Sequence, residues 1–175
     1  MEGGIHLARA FRPIVRSYNR PMAKRSAGLL LYRRTNSLEV LLVHPGGPFW
    51  SKKDDGAWTV PKGEYAESEE PLAAARREFE EETGVAVNGD FLPLGEVKQP
   101  GGKIVTAWAV EADLDPGQVH SNTFPLEWPP KSGKIREFPE IDRAAWLSPA
   151  EARQKILPAQ TPFLARLGAR LGLEI

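Results

Sequence analysis

The feature that most constrains this chain is an acidic run near the end of a predicted helix. Residues 61–85 contain eight glutamates. The stretch before Pro71 is a typical helix entrance and Gly84 a typical helix end, which predicts a helix of about fourteen residues. Side chains three and four positions apart emerge on one side of a helix. The carboxylates that share one side of the last turn are Glu78, Glu81 and Glu82.

Like charges at this spacing destabilise a helix. Each pair costs about 0.2–0.5 kcal/mol, and each acid at the negative end of the helix dipole costs roughly another 0.3–1 kcal/mol. A divalent cation would remove this cost, because clusters of carboxylate oxygens bind Mg²⁺ or Mn²⁺. The alternative is a solvated acidic helix end that Arg76 and Arg77 partly neutralise. Charge geometry alone leaves both interpretations open.

Composition narrows the kinds of site that the chain can hold. Its 175 residues are enough for one domain with a real core, and they include no cysteine and only three histidines. A metal would therefore be bound by oxygen rather than by thiolates or imidazoles. No apolar run approaches the roughly 18 residues of a membrane span, and no basic face for nucleic acid is evident. We expect a cytoplasmic protein that binds neither membranes nor nucleic acids.

The first residues differ in charge from the rest. Residues 1–25 hold six Lys and Arg against one acid. The segment is arginine-rich as transit peptides are, but Pro13 and Pro21 interrupt it. We interpret residues 1–25 as a basic N-terminal extension and residues 26–175 as the folded domain.

From residue 26 onward the sequence favours β-strands joined by short turns. Apolar runs on either side of residues 35–37 predict one hairpin, and runs on either side of residues 100–102 predict a second. Glycine, proline and charged residues predict an irregular loop at 46–56, near the expected site. Further strands are predicted at 57–61 and 141–147.

Two helices are predicted to close the chain. Ser148, Pro149 and Glu151 form a capping box with proline at the first helical position, and a second helix begins at Thr161. Apolar side chains at helical spacing indicate core packing for this second helix rather than a cofactor site. They are Phe163, Leu164, Leu167 and Leu171.

The acidic helix and the loop before it match a known motif. Residues 63–85 fill the pattern G-x5-E-x7-R-E-U-x-E-E-x-G-U, in which U is a bulky apolar residue, without departures. This segment resembles the Nudix box, and we use that name for it below. The specified positions are Gly63, Glu69, Arg77, Glu78, Phe79, Glu81, Glu82, Gly84 and Val85.

The resemblance implies an α/β fold in which a mixed β-sheet lies between α-helices and the box forms a loop-helix-loop. It implies an enzyme that cleaves a nucleoside diphosphate linked to another group. Glu78 and Glu82 would be the principal metal ligands. Arg77 would orient and neutralise the carboxylates, and Glu69 would pair with Arg77. Further ligands would be Glu81 and the Gly63 carbonyl.

Residues outside the box are expected to select the substrate. Positively charged side chains could bind a phosphate. One of them is Lys62, which directly precedes Gly63 at the start of the Nudix box. Aromatic residues in irregular segments could stack on a base or cap the core. A long loop is expected at 121–142, where Glu137 and Glu140 are candidates for an extra metal ligand or a general base. The remaining substrate candidates are Arg34, Lys53, Trp50, Phe49 and Trp128.

The segments "HPGGPFW", "WTVPKGE" and "EWPPKSGK" together resemble bacterial predicted nucleoside triphosphate pyrophosphohydrolases of the Nudix family. We therefore expect a Mg²⁺- or Mn²⁺-dependent hydrolase of a nucleoside triphosphate or a related diphosphate compound. "PKGE" also resembles Nudix hydrolases of diadenosine polyphosphates and of diphosphoinositol phosphates. The alternatives are a dinucleoside polyphosphate hydrolase and a non-catalytic nucleotide-sensing module. The sequence leaves open whether the protein forms a homodimer.

Overall fold

The structure is a computed structural model and describes residues 23–175. Most of the expected basic extension lies outside the described residues. The first strand begins at Arg25, so regular structure starts one residue before the expected domain boundary. The interpretation of residues 1–25 as a separate extension stays a prediction.

A six-stranded mixed sheet forms the centre of the domain, with spatial order β4-β5-β1-β2-β8 and β3 paired to β1. The pairing of β1 with β5 is parallel, and the other pairings are antiparallel. Its strands are β1 (Arg25–Arg34), β2 (Leu38–Pro45), β3 (Lys62–Glu64), β4 (Leu92–Lys98), β5 (Ile104–Glu111) and β8 (Ile141–Leu147).

Strand β1 is buried on both faces because helices cover the sheet on both sides. Leu29 and Leu31 point to one face and Leu30 and Tyr32 to the other, as the period of two in a strand requires. This double burial explains why the β1 sequence is a continuous apolar run rather than an alternation.

Three α-helices pack against the sheet: α1 (Pro71–Thr83), α2 (Pro149–Lys155) and α3 (Thr161–Leu171). On one face α1 buries Ala75 and Phe79. On the other face α2 and α3 bury side chains that include Ala152 and Leu167. The sheet therefore lies between helices, which confirms the predicted α/β architecture.

Helix α1 begins and ends at its predicted residues. The Glu70 carboxylate accepts hydrogen bonds from the backbone N–H groups of Leu72 and Ala73, and so caps the N-terminus. Gly84 ends the helix in the left-handed region at φ 76°, where glycine lacks the Cβ clash of other residues. Leu72, expected in the buried stripe, is only partly buried.

Two predicted segments differ from the structure. Residues 57–61 are not a strand: Thr59 makes only an isolated pair of hydrogen bonds with Val43, at 3.0 and 2.9 Å, and the strand begins at Lys62. The expected loop at 121–142 instead contains an antiparallel hairpin. Its strands are β6 (Thr123–Glu127) and β7 (Ile135–Pro139).

The capping box of α2 is confirmed, because Ser148 and Glu151 exchange hydrogen bonds as predicted. The two predicted hairpins are confirmed by the antiparallel pairings of β1 with β2 and of β4 with β5. Within residues 23–175 no helix is long and apolar enough to cross a membrane.

We predict that Gly28→Ala destabilises the fold. Its Cβ would lie 2.5 Å from the Pro61 carbonyl oxygen and 2.7 Å from the Lys62 Cβ, so backbone would have to move. We expect a loss of about 1–3 kcal/mol in the free energy of unfolding, measured by urea denaturation. Gly117→Ala is the control, because its nearest contact would be the Asp115 side chain at 3.2 Å. Equal urea midpoints for both variants would contradict this account.

Candidate active site

The two ends of the Nudix box meet because α1 packs on β1 and β3. Phe79 is buried against the apolar face of β1, and Gly63 on β3 pairs with Ala27. A Cβ at Gly63 would lie 1.7 Å from Glu78 Oε2 and 2.0 Å from its carboxyl carbon. Only glycine therefore lets the Glu78 carboxylate lie against the backbone of the loop.

Glu82 lies one turn further along α1 and is half-buried. Its Oε2 accepts a hydrogen bond of 2.8 Å from the backbone N–H of Lys62. The pKa of Glu82 is raised to about 8, chiefly by burial and also by the nearby charges of Glu78 and Glu140, against the opposing effect of Lys62. A carboxylate in this position is poorly solvated and gains from a bound cation.

Arg77 neutralises the other acids of the box. Its Nε and Nη2 donate to the two oxygens of Glu69 at 2.8 and 3.0 Å. Its Nη1 donates to Glu78 Oε1 at 2.7 Å and to Glu81 Oε2 at 3.1 Å. The Arg77 hydrogen bond holds the pKa of Glu69 below its usual range, and burial raises the pKa of Glu78. One guanidinium thus accounts for much of the tolerated negative charge.

Lys62 brings a cation to the same place. The side chain is half-buried, and burial lowers the pKa of its ammonium group, while the charges of Glu82, Glu64 and Glu78 act in the opposite direction. The structure therefore places one poorly solvated cation beside poorly solvated carboxylates. An anionic ligand that also carries a metal would satisfy both.

The residues present suit Mg²⁺ or Mn²⁺ in donor chemistry. Among residues 23–175 no three acidic or histidine side chains converge into a ready metal cage. Mg²⁺ does not need one, since it usually takes one or two carboxylates and completes its shell with waters and phosphate oxygens. The carboxylate of half-buried Glu82 and the carboxylate of Glu78, which lies against Gly63, supply hard oxygen ligands near each other. Glu78 and Glu81 would have to rotate away from Arg77.

Glu140 lies between β7 and β8. It is exposed, and it lies immediately before β8, close enough for its charge to raise the pKa of Glu82. Its backbone carbonyl accepts a hydrogen bond of 2.9 Å from the N–H of Gly46. This hydrogen bond connects Glu140 to the β2–β3 loop, residues 46–61.

The predicted substrate residues divide into two groups. Lys53 and Trp50 lie together in the β2–β3 loop, with Lys53 Nζ 4.7 Å from the centre of the Trp50 ring. Trp50 also packs against the core, so its ring is partly covered. Arg34 forms two hydrogen bonds with Glu111, of 3.0 and 2.7 Å, at the far end of β1.

The structure does not bring Arg34 close to the Nudix box. Arg34 lies six positions along the extended strand from Gly28, the residue that pairs with Lys62. That separation is about 20 Å along the strand. The distance between Arg34 and the box could not be predicted from the sequence, because it depends on which end of β1 pairs with β3.

His44 is a residue that the sequence analysis missed. It is fully buried, its Nδ1 lies 2.7 Å from Asp142 Oδ1, and its Nε2 lies 2.8 Å from the Lys53 carbonyl oxygen. Both ring nitrogens lie within hydrogen-bonding distance of oxygen atoms. The sequence does place this histidine at the end of an otherwise apolar predicted strand, and that position could have indicated a buried polar contact. The contacts fix the β2–β3 loop to the start of β8.

The NUDIX domain family model matches residues 22–167. Solved structures share the fold. A Caenorhabditis elegans Ap4A hydrolase in a binary complex superposes with TM-score 0.61 and 22% identity, over 84% of this chain and 98% of that one. The NUDIX domain of Shewanella oneidensis NrtR, complexed with ADP ribose, gives TM-score 0.60 and 16% identity, over 85% and 88%.

The C-terminal domain of mouse MUTYH, solved with human PCNA, gives TM-score 0.55 and 18% identity, over 86% of this chain and 91% of that one. At these identities the likeness shows the fold alone, whereas the family model covers most of the chain and includes the complete box. The chain therefore belongs to the NUDIX family, and it is a Nudix-type pyrophosphohydrolase.

Proposed function

We propose that this chain is a Mg²⁺- or Mn²⁺-dependent hydrolase of a nucleoside triphosphate or a related nucleoside diphosphate derivative. The observation that carries the proposal is the cluster around Gly63. A half-buried carboxylate at Glu82, a second carboxylate at Glu78 and the half-buried ammonium group of Lys62 meet within one short segment. In a metal-bound phosphate chain, the cation would pair with the two carboxylates and the phosphate oxygens would pair with the ammonium group.

In this proposal Glu78 and Glu82 are the principal metal ligands. The cation would neutralise and orient the phosphate oxygens, which otherwise repel an attacking water. Arg77 pairs with Glu69, Glu78 and Glu81, and Glu78 would have to leave this network to bind the cation. Candidates for further ligands are Glu81, Glu140 and the Gly63 carbonyl.

Lys62 is the proposed phosphate contact. A half-buried ammonium group loses part of its solvation, and a phosphate oxygen can replace that solvation as a counter-charge. The Lys62 backbone N–H meanwhile holds Glu82 at 2.8 Å. The same residue thus fixes a metal ligand through its backbone and receives the substrate through its side chain.

Hydrolysis proceeds in this proposal by direct attack of water on phosphorus. The anhydride P–O bond breaks, and a triphosphate yields a nucleoside monophosphate and pyrophosphate. A carboxylate accepts the proton from the water. Glu140 is exposed and close enough to Glu82 for its charge to raise the pKa of that residue, so it is the proposed acceptor, with Glu82 as the second candidate.

The direct test is hydrolysis of the four nucleoside triphosphates, ADP-ribose and diadenosine tetraphosphate, with identification of the products. We expect turnover with Mg²⁺ or Mn²⁺ and none in excess chelator, because the substrate phosphates need the cation. Turnover that persists in chelator would contradict the metal assignment. Binding of a nucleotide without hydrolysis of any compound would support the nucleotide-sensing module instead.

We predict that Glu82→Gln abolishes activity while it stabilises the metal-free fold. Glutamine keeps an acceptor for the Lys62 N–H but removes a half-buried charge. Activity should fall about a thousandfold, or roughly 4 kcal/mol of transition-state stabilisation. Because burial raises the pKa of Glu82 to about 8, the wild type loses stability as pH rises from the usual carboxyl range through that value. Urea unfolding in chelator should therefore show a larger gain at about pH 9 than at about pH 6.

Glu80→Gln is the matched control for this experiment. Glu80 lies on the same helix and is exposed, and it is not a specified position of the box. Its substitution changes the same charge, so it should leave activity within about twofold and give no pH-dependent gain. Near-normal turnover of the Glu82 variant would return that residue to the class of ordinary surface charges.

We predict that Gly63→Ala separates activity from stability. The new Cβ would meet only the end of the flexible Glu78 side chain among its three nearest atoms, at 1.7, 2.0 and 2.7 Å. The carboxylate can swing away, so the urea midpoint should change little. Activity should fall at least tenfold, because Glu78 leaves the position that glycine allows. A variant that keeps full activity would show that the close approach of Gly63 and Glu78 is not needed.

A further inference from the structure

A histidine that the proposed reaction does not use lies at the beginning of β8. His44, near the end of β2, is fully buried, and its Nδ1 lies 2.7 Å from Asp142 Oδ1. Its Nε2 lies 2.8 Å from the Lys53 carbonyl oxygen, and its ring packs edge-on against Trp58 with ring centres 5.4 Å apart. A polar side chain without exposed surface needs hydrogen-bond partners, and each nitrogen of this ring has an oxygen beside it.

The contact between His44 and Asp142 forms where the pairing of β2 with β8 is irregular. His44 pairs with Arg143, but Pro45 pairs with Ile141, so Asp142 is one extra residue on β8. Such a β-bulge leaves its extra residue unpaired and bends the strand. Here the extra residue contacts His44 through its side chain, while Ile141 is buried. The His44 contact therefore stabilises the bulge.

Glu140 lies two residues before the bulged residue, and its backbone is held on both sides. Its N–H donates to the Asn122 carbonyl at 2.9 Å, and its own carbonyl accepts the Gly46 N–H at 2.9 Å. The next N–H, that of Ile141, donates to the Ser121 hydroxyl at 3.1 Å. The Glu140 side chain is exposed, but it starts from a backbone that is held at three successive groups.

The β2–β3 loop can reach this backbone because it begins with glycine. A Cβ at Gly46 would lie 2.0 Å from the Pro139 carbonyl oxygen, so a larger residue would push the loop away. Gly46 follows His44 by two positions, and the two residues therefore hold the same short connection between β7 and β8. The charge of Glu140 is close enough to Glu82 to raise the pKa of Glu82. The position of the connection thus sets the distance between these two carboxylates.

We propose that His44 is a positioning residue for the reaction, which holds Glu140 in place through Asp142 and the bulge. This inference rests on the proposed function, in which Glu140 accepts the proton of the attacking water. His44 is fully buried, so it acts through Asp142 rather than by contact with the substrate. A displacement of about 1 Å in a reacting geometry can cost about a hundredfold in rate. Loss of the contact should therefore lower kcat and leave KM nearly unchanged, because Lys62 still receives the phosphates.

The two ring nitrogens can be tested separately, because each has its own partner. The amide nitrogen of glutamine can replace Nε2, so His44→Gln keeps a donor for the Lys53 carbonyl and loses the contact with Asp142. The amide nitrogen of asparagine can replace Nδ1, so His44→Asn keeps a donor for Asp142.

The assay uses the nucleotide that the wild type hydrolyses fastest. For His44→Gln we expect kcat to fall about tenfold or more, with KM within about twofold. For His44→Asn we expect kcat within about threefold of the wild type. Equal losses of kcat in the two variants, or a changed KM with normal kcat in His44→Gln, would overturn the proposal.

A double-mutant cycle tests whether His44 acts through Glu140. Glu140→Gln alone should lower kcat about tenfold or more, since glutamine cannot accept the proton. If His44 positions this carboxylate, adding His44→Gln to Glu140→Gln should lower kcat by no more than about a further twofold. Fully additive losses would show that His44 acts independently of Glu140, and a normal kcat in Glu140→Gln would show that Glu140 is not the acceptor. Either result contradicts the inference.

Trp146→Phe is the matched control, because Trp146 lies towards the other end of β8 and its Nε1 donates to the Leu114 carbonyl at 2.9 Å. This variant also removes a side-chain hydrogen bond from β8, so kcat and KM should stay within about twofold. Urea midpoints establish that each variant is folded. If His44→Gln does not fold, Asp142→Ala takes its place, because it removes the same contact from the partly exposed side, and it should show the same loss of kcat.

A failure of the proposed function has a different signature, since the wild type would then hydrolyse none of the compounds. The connection is in that case followed by amide hydrogen exchange. We expect the Gly46 and Glu140 amides to exchange faster in His44→Gln than in the wild type and in His44→Asn. The Ala74 amide, which donates to the Glu70 carbonyl at 3.0 Å in α1, should exchange equally in all three. Equal exchange of the Gly46 and Glu140 amides in the three proteins would overturn the positioning role of His44.

Discussion

The packing of α1 across β1 and β3 is the contact on which the site depends. It places Phe79 in the core and brings the last turn of the helix against Gly63. Because Glu78 lies next to Phe79 in sequence and Glu82 lies one turn later, burying the ring fixes the direction of both carboxylates. The free energy gained by burying Phe79 therefore offsets the cost of placing these charges, which the helix alone would disfavour. The same packing leaves Glu82 half-buried, with the raised pKa that burial causes.

Arg77 explains how the metal-free fold tolerates the acidic turn. It binds Glu69, Glu78 and Glu81 at once, so three carboxylates share one guanidinium. Glu82 is left out of this network and is held by the Lys62 N–H instead. A carboxylate that pairs with an arginine already has a counter-charge. A poorly solvated carboxylate that accepts only one N–H hydrogen bond has none, and so it retains a strong preference for a cation. Glu82 is thus the acid with most to gain from metal.

Sequence predicted the local parts of this architecture well. Helix α1, its glycine end, the two hairpins and the capping box of α2 follow from spacing and turn residues, which act over a few positions. The box likewise predicts its own acids, because all of them lie on one helix and one adjoining loop. The interpretation of 57–61 as a strand was wrong, since apolar alternation does not reveal whether a neighbouring strand is available along the whole run.

The unpredicted parts all depend on contacts between distant segments. Arg34 lies away from the box because β3 pairs with the other end of β1, and His44 makes its contacts only when Asp142 and the Lys53 carbonyl lie beside it. The hairpin at 123–139 packs on the β2–β3 loop because the Gly46 and Gly47 backbone fits against it. Groups that perform chemistry can be compact in sequence, since one helix suffices to hold them. Groups that select a substrate come from separate loops, so their geometry is determined only by the complete fold.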